Sequence, residues 1–325
     1  MTGQTVTLGK ALNLGLRKAM EVDDKVIILG EDIGKLGGVF RITDGLQKDF
    51  GEHRALDTPL AESGIIGTAV GLAMRGYRPV CEIQFDGFVF PGFDQIISQL
   101  AKVTYRTQGA YTMPVVIRIP YGGGIGAVEH HAESPESFFC HIAGLRVVAC
   151  ANPQDAFDMI QEAIACEDPV VFFEPKRRYW EKGTVDPAAS ASTFSSVVRR
   201  TGTDATLVGY GATMPVTLSA ADAAAAEGRS LEVIDLRTLS PLDLEPVLDS
   251  VRRTGRCVVV SEAPRESSLS SELAARITEE AFYSLAAPVL RVTGFDTPYP
   301  PSKLEEEYLP DLDKVLDAVD RTFAY

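Results

Sequence analysis

The chain predicts a two-domain α/β protein whose sheets are mostly parallel and covered by helices on both faces. Three observations carry that expectation. Short, uninterrupted apolar runs alternate with stretches of helical period. Several of these runs stop at a glycine or a polar residue. The alternation pauses near residue 181, in a stretch rich in Ser, Ala, Thr and Pro, and then resumes. A strand buried on both faces reads as a continuous apolar run, whereas a half-exposed one alternates.

The strand runs come in order. Val26 to Leu29 stops at Gly30, and Val80 to Ile83 leads into Gln84 and Phe85. Val115 to Ile119 meets Pro120-Tyr121-Gly122-Gly123-Gly124, and Val170 to Phe173 meets Glu174-Pro175. Between them Phe93, Ile96, Ile97, Leu100 and Val103 fall on one helix face. The second series has strands at Thr206–Gly209, Leu231–Leu236, Cys257–Val260 and Val289–Val292. Its helices are Met214–Glu227 and Ser268–Tyr283. The expected division is therefore a domain over 1–183, a linker over 184–203 and a smaller domain over 204–325.

Bulk properties narrow the function. The chain has 325 residues, 45% hydrophobic and 23% charged, enough for one large or two medium cores. A net charge of −14 argues against nucleic acid or an anionic membrane as partner and allows attraction to a basic protein. No apolar run nears the ~20 residues of a spanning helix. The five cysteines show no C-x-x-C spacing, so buried free thiols in the cytoplasm are expected.

Four places carry candidate chemistry. Glu62 opens the helix-like stretch Ala61–Gly76, which holds Gly64, Gly67, Thr68, Gly71 and Ala73. Glycine costs a helix up to ~1 kcal/mol relative to alanine, so such a helix needs a backbone, subunit or ligand close against it. Pro59 and an acid in the first turn also suit a plain helix start, so Glu62 is open to either reading. His130-His131 follows the glycine-rich loop Gly122–Gly126; a proton-transfer role and a solvated loop are equally open. The loop lacks the Lys-Ser/Thr ending of a phosphate-binding loop. Gln84, Phe85, Phe88, Phe90 and Phe93 form either core or a stacking platform for a planar ring. The run Glu305-Glu306-Glu307 reads as a solvated face or a docking surface.

In order and spacing these segments resemble the β subunit of thiamine-diphosphate-dependent 2-oxo acid dehydrogenases, the decarboxylating component, along essentially the whole chain. The motifs are Leu29-Gly30-Glu31-Asp32-Ile33-Gly34, Asp57-Thr58-Pro59-Leu60-Ala61-Glu62-Ser63-Gly64, Glu82-Ile83-Gln84-Phe85, Phe93-Asp94-Gln95-Ile96 and His131-Ala132-Glu133-Ser134-Pro135-Glu136. Val233-Ile234-Asp235-Leu236-Arg237-Thr238 and Ser261-Glu262-Ala263-Pro264 complete the set. The resemblance implies a transketolase-like pyrimidine-binding domain followed by a transketolase C-terminal domain. Glu62 falls on the family's cofactor-activating glutamate, which hydrogen-bonds the aminopyrimidine. Phe88 matches the aromatic residue stacked on that ring, and Gln84 lines the same pocket. His131 falls on the histidine serving acyl transfer to a lipoyl arm. Ala163, Cys166 and Asp168 fall in a segment where relatives hold potassium through backbone carbonyls.

Two departures stand out. The family pattern His-Ser-Gln is here His131-Ala132-Glu133, which predicts a raised His131 pKa through the added carboxylate. The chain also lacks a Gly-Asp-Gly motif for magnesium and diphosphate. The resemblance therefore implies an α subunit in an α2β2 assembly, which would hold the Mg2+ site, and docking to the peripheral subunit-binding domain of a lipoyl acyltransferase core. Phe172-Phe173-Glu174-Pro175-Lys176 and Ser134–Phe139 favour branched-chain 2-oxo acids, with pyruvate or acetoin as alternatives. A noncatalytic scaffold and a self-contained transketolase-like enzyme are the competing classes.

Overall fold

The computed structural model describes residues 3–188 and 192–325. The first half runs β1 (Gln4–Thr7), α1 (Leu8–Val22), β2 (Val26–Gly30), α2 (Leu46–Phe50), β3 (Ala55–Asp57), α3 (Glu62–Met74) and β4 (Arg78–Glu82). A 3-10 segment (Asp86–Gly92) and a π-helical turn (Gln95–Leu100) lead into α4 (Ala101–Arg106). Then come β5 (Val116–Tyr121), α5 (Glu136–Cys140), β6 (Arg146–Ala149), α6 (Pro153–Ala165), β7 (Val170–Pro175) and β8 (Lys182–Val185). The second half has β9 (Val197–Arg200), β10 (Ala205–Gly209), α7 (Met214–Ala226), β11 (Leu231–Asp235) and β12 (Thr238–Ser240). It closes with α8 (Glu245–Thr254), β13 (Cys257–Val260), α9 (Leu269–Ala281), β14 (Leu290–Val292), α10 (Glu305–Tyr308) and α11 (Leu312–Thr322).

Six parallel strands in the order β6-β7-β5-β4-β2-β3 form the first sheet, and β12 is its antiparallel edge. The strand cores Val26–Gly30, Val116–Tyr121 and Val170–Pro175 are buried throughout, as covered parallel strands are. The second sheet, β14-β13-β10-β11-β9, is parallel except for β9. Because β12 belongs to the later half in sequence but to the first sheet in space, the two halves share a boundary.

Within the 184–203 stretch read as linker, Thr184 and Val185 finish β8, which pairs with β1, and Val197–Arg200 form β9. Residues 189–191 of that stretch lie outside the described residues. Helix α1 starts at Thr7, whose hydroxyl accepts from Lys10 N–H, and packs against α6 so closely that a side chain at Gly15 would meet Ile160. No helix among the described residues is long and apolar enough to cross a membrane.

One register detail positions the site. Gly30 lies opposite both Asp57 and Glu82, and Glu82 lies opposite Arg118. The carboxyl ends of β3, β2 and β4 are thus level, and β5 and β7 run three residues further. The segments that leave them, including Glu31, Glu62, Gln84 and the glycine loop, emerge along one edge, the usual ligand edge of such a sheet. Below that edge Arg118 is fully buried and ion-paired to Glu82 (2.6 Å) and Glu174 (2.6 Å). With both carboxylates hydrogen-bonded to it, this buried charge is compensated.

Candidate active site

Glu62 is the first residue of α3, three positions after Pro59, so the proline precedes the helix instead of opening it. Its side chain is 7% exposed and has no hydrogen-bond or ion-pair partner among the described residues. Glu31, at the end of the neighbouring β2, is also buried, and its Oε1 has no partner. Burial first, and then the nearby Glu62 and Asp32 charges, hold the Glu31 carboxyl above the ordinary range. Thr58 Oγ1 beside them is buried and unpartnered too. Gln84 Nε2 donates to the Glu31 carbonyl at 3.4 Å.

Glu31 Oε1 and Thr58 Oγ1, both cut off from solvent, are costly to leave unpaired unless something polar from outside meets them. The glycine face of α3 points the same way. Ile65, Ile66, Ala69 and Ala73 are buried within the chain. A side chain added at Gly71 would meet nothing within 4 Å, and one at Gly67 would only graze Gln95. The close neighbour expected for this helix is therefore not supplied by the chain itself.

The aromatic cluster is partly a platform. Phe85 and Phe88 are half-buried and meet edge to face at 5.7 Å. Both flank the His131 ring, Phe85 at 4.3 Å and Phe88 at 5.1 Å between centroids, each near-perpendicular. Phe88 also stacks on His130 at 6.1 Å. Gly87 allows this closeness, because a Cβ there would lie 2.5 Å from the His130 carbonyl oxygen. Phe90 and Phe93 turn instead toward Phe138.

His131 Nδ1 is buried with no partner among the described residues, while His130 is exposed and lies 3.4 Å from Glu129. The raised His131 pKa expected from Glu133 is corrected. The His131 pKa is lowered, first by burial and then by the adjacent His130, with Asp86 opposing and Lys176 assisting. Glu133 turns its backbone N–H to Asp86 Oδ2 (2.7 Å), and its own carboxyl is pushed up by burial.

Several residues here were given no individual role by the sequence. Asp86 and Lys176 form a wholly buried ion pair. Glu136 is wholly buried, accepts from Tyr210 Oη at 2.6 Å, and is pushed up to about 7 by burial. Glu305 departs from both readings of the Glu305–Glu307 run. It is 8% exposed and accepts from Gly124 N–H (2.7 Å), Gly126 N–H (3.0 Å) and Tyr299 Oη (2.7 Å). A cavity of about 240 Å3 lies between the two halves, lined by Phe90, Glu133, Ser134, Glu262, Tyr299 and Tyr308.

Ala163, Cys166 and Asp168 lie at the end of α6, away from these groups in the chain. Ala163 O accepts from Cys166 N–H (3.3 Å), Arg78 Nη1 donates to the Ile164 (3.0 Å) and Cys166 (3.2 Å) carbonyls, and Asp168 pairs with Arg146 (2.9 Å). The helix end thus gathers positive charge. Among the described residues no cluster of three His, Cys, Asp or Glu side chains could hold a metal.

The comparisons with known proteins fit this architecture. The family profile "Transketolase, pyrimidine binding domain" matches residues 4–181, and "Transketolase, C-terminal domain" matches 195–315. A solved structure titled "Split gene transketolase, inactive beta4 tetramer" superposes with a TM-score of 0.82 at 23% identity, covering 98% of both chains. At that identity it speaks for the fold alone, which is the transketolase-like two-domain α/β class.

The curated relatives go further. A pyruvate dehydrogenase E1 component subunit beta of Leifsonia xyli subsp. xyli is 63% identical over 99% of this chain and 96% of its own. A 3-methyl-2-oxobutanoate dehydrogenase subunit beta of Mycobacterium tuberculosis is 54% identical over 98% and 92%. A pyruvate dehydrogenase E1 component subunit beta of Bacillus subtilis is 42% identical over 98% and 99%. The chain belongs to the family of E1 β subunits of 2-oxo acid dehydrogenases, which is associated with thiamine diphosphate.

Proposed function

We propose that the chain is the β half of an enzyme that decarboxylates a 2-oxo acid with thiamine diphosphate and passes the acyl group to a lipoyl arm. The single observation that carries the reading is the partnerless Glu62 carboxylate beside the buried, uncompensated Glu31. Two neighbouring carboxyls with no cation call for a ligand that shares a proton with them. An aminopyrimidine ring nitrogen does so. In this reading Glu62 holds the shared proton, Phe88 offers its face to the ring and Gln84 bounds the pocket. When bound, the cofactor supplies the carbon nucleophile for the 2-oxo carbon. His131, low in pKa and therefore neutral at pH 7, accepts or delivers a proton during the later transfer.

The α subunit follows from two features: the missing Gly-Asp-Gly motif and the glycine face of α3 that the chain leaves open. Assay of the co-assembled α and β chains tests the core of the proposal. Glu62→Gln should lower decarboxylation by about 10²–10⁴-fold with the assembly intact. Unchanged turnover would remove Glu62 from catalysis and favour the scaffold reading.

For the substrate, pyruvate and 3-methyl-2-oxobutanoate are the two candidates to assay side by side. Phe172, Phe173 and Glu174 are fully buried in β7, so packing accounts for that part of the branched-chain resemblance as well as substrate does. The Leifsonia relative, whose name specifies pyruvate, shares more residues with this chain than the Mycobacterium one. The proposal extends to a potassium ion held by backbone carbonyls near Ala163, Cys166 and Asp168. The Ile164 and Cys166 carbonyls already accept from the Arg78 guanidinium, so the ion would have to be held by the remaining carbonyls of this turn. Unfolding at a higher temperature in potassium than in sodium salt checks it. Docking of a basic domain of the acyltransferase core is supported by the charge of −14, and should weaken as salt rises.

A further inference from the structure

The loop that carries His131 is an Ω-shaped excursion closed at its base, where Gly122 N–H donates to the Glu133 carbonyl at 2.9 Å. Gly122, Gly124 and Gly126 all have positive φ. That backbone points successive amides inward, a nest suited to an anion. The anion is not a phosphate. Gly123 N–H donates to Glu262 Oε1, and Gly124 and Gly126 N–H donate to the two oxygens of Glu305. Tyr299 Oη donates to Glu305 Oε1 and lies 3.2 Å from Gly124 N. All three side chains come from the C-terminal half, some 139 to 181 residues away in sequence.

The fit tolerates no side chain. A Cβ on Gly123 would lie 1.8 Å from Tyr299 Oη, and one on Gly124 would lie 2.7 Å from Arg177 Cδ. On the far side of the histidines Asp86 accepts from Glu133 N–H, with Lys176 paired behind it. Among the described residues the His131 ring has no orienting hydrogen bond at Nδ1; the Phe85 and Phe88 walls, the His130 ring and its own backbone place it. Its position is therefore inherited from the loop.

We infer that Glu305, with Tyr299 and Glu262, is a positioning residue of the C-terminal domain that sets where His131 stands. The inference rests on the reading of His131 as the acyl-transfer histidine. Charge-assisted bonds from a carboxylate to several amides are among the stronger hydrogen bonds a loop can have, and a misplacement of ~1 Å at a reacting group can cost about 10²-fold in rate.

The experiment compares Glu305→Ala, Glu305→Gln, Tyr299→Phe and His131→Ala in the assembled αβ enzyme. Two partial reactions are read: decarboxylation with ferricyanide as electron acceptor, and acyl transfer to a free lipoylated domain. Deuterium uptake of segment 122–131 is read in parallel on the cofactor-free protein. Glu305→Ala should lower acyl transfer by up to about 10²-fold, leave ferricyanide-linked decarboxylation near wild type, and speed exchange across 122–131. Glu305→Gln, which keeps one carbonyl acceptor, should recover part of the transfer rate, and Tyr299→Phe should lose less than Glu305→Ala. Equal loss in both reactions, or unchanged exchange, would overturn the inference. If instead His131→Ala transfers normally, the assignment of His131 falls while the exchange data still decide whether Glu305 holds the loop.

Discussion

Glu62 and the His131 loop stand on the same sheet edge, yet the chain treats them in opposite ways. Around Glu62 it leaves acceptors without donors: Glu62, the Glu31 Oε1 and the Thr58 hydroxyl. Around His131 it supplies the anchors of the loop backbone itself, although His131 Nδ1 has no partner among the described residues. Two carboxylates cross from the second domain to hold the glycine amides, and a buried Lys176–Asp86 pair holds the other end. A buried polar group without a partner destabilises the chain that carries it. Such groups persist on both sides, since His131 Nδ1, Ser134 Oγ and Glu136 Oε2 also lack partners among the described residues; what sets the Glu62 side apart is the glycine face of α3, which the chain leaves open. The comparison teaches that the first half of the site is a socket and the second half is prebuilt.

The socket gives the largest expected effect. Gly71 faces open space, so Gly71→Leu should leave the isolated chain folded and should even favour its helix by somewhat under ~1 kcal/mol. The same variant should abolish assembly with the α subunit, because a leucine would fill the approach that the glycine face keeps clear. Size-exclusion chromatography with light scattering of mixed subunits reads this. Normal assembly of the variant would show that the glycine face is not an interface, and the contrast between the two halves would lose its main support.

The prebuilt half gives a smaller effect, with a sign set by pH. Glu136 opens α5 fully buried, with Tyr210 as its donor and Oε2 unpartnered among the described residues. Burial raises its pKa from 4.5 to about 7, while Tyr210 pulls the other way. Between those values the folded chain keeps a proton that the unfolded chain releases. Stability therefore falls as pH rises from 4.5 to about 7 and is level above that, a loss on the order of 3 kcal/mol. Glu136→Gln keeps a carbonyl acceptor for Tyr210 and removes the ionisation. Urea unfolding should find the variant more stable than wild type above neutrality, by on the order of 1–3 kcal/mol, and indifferent to pH below it. Equal pH dependence in both proteins would mean that Glu136 is ionised in the fold.

These contrasts mark what could be read without coordinates. The buried parallel strands were legible, because Val26–Leu29, Val170–Phe173 and Cys257–Val260 are apolar at every position. The short strands at Lys182–Val185 and Val197–Arg200 were not. Each is four residues long, half-exposed and set in Ser- and Pro-rich sequence, so composition reads them as linker. Glu62, Gln84 and Phe88 were singled out through motif order, since the helix start at Glu62 explains itself equally well by dipole and capping. Glu305 was hidden in an acidic run. Only the fold turns the first carboxylate of that run inward, toward amides 179 and 181 residues earlier.

The smallest effect concerns His131 and is the sharpest check on the prebuilt half. Sequence adjacency made Glu133 the obvious neighbour and an upward shift the natural expectation. In the fold, Glu133 is committed through its backbone to Asp86. The ring instead feels burial, His130 and the nearly self-cancelling Lys176–Asp86 pair. An NMR titration should therefore place the His131 midpoint below the ordinary ~6.5. With only four histidines in the chain, loss of one signal in His131→Ala assigns it. His130→Asn should move the midpoint upward, since the adjacent imidazolium is the second largest cause of the lowering. Because the folded pKa lies below the unfolded one, the unfolded chain binds the extra proton first. The ring's contribution to stability is full above pH ~6.5 and is lost as pH falls toward the folded midpoint. A midpoint at or above ~6.5 would restore Glu133 as the dominant neighbour.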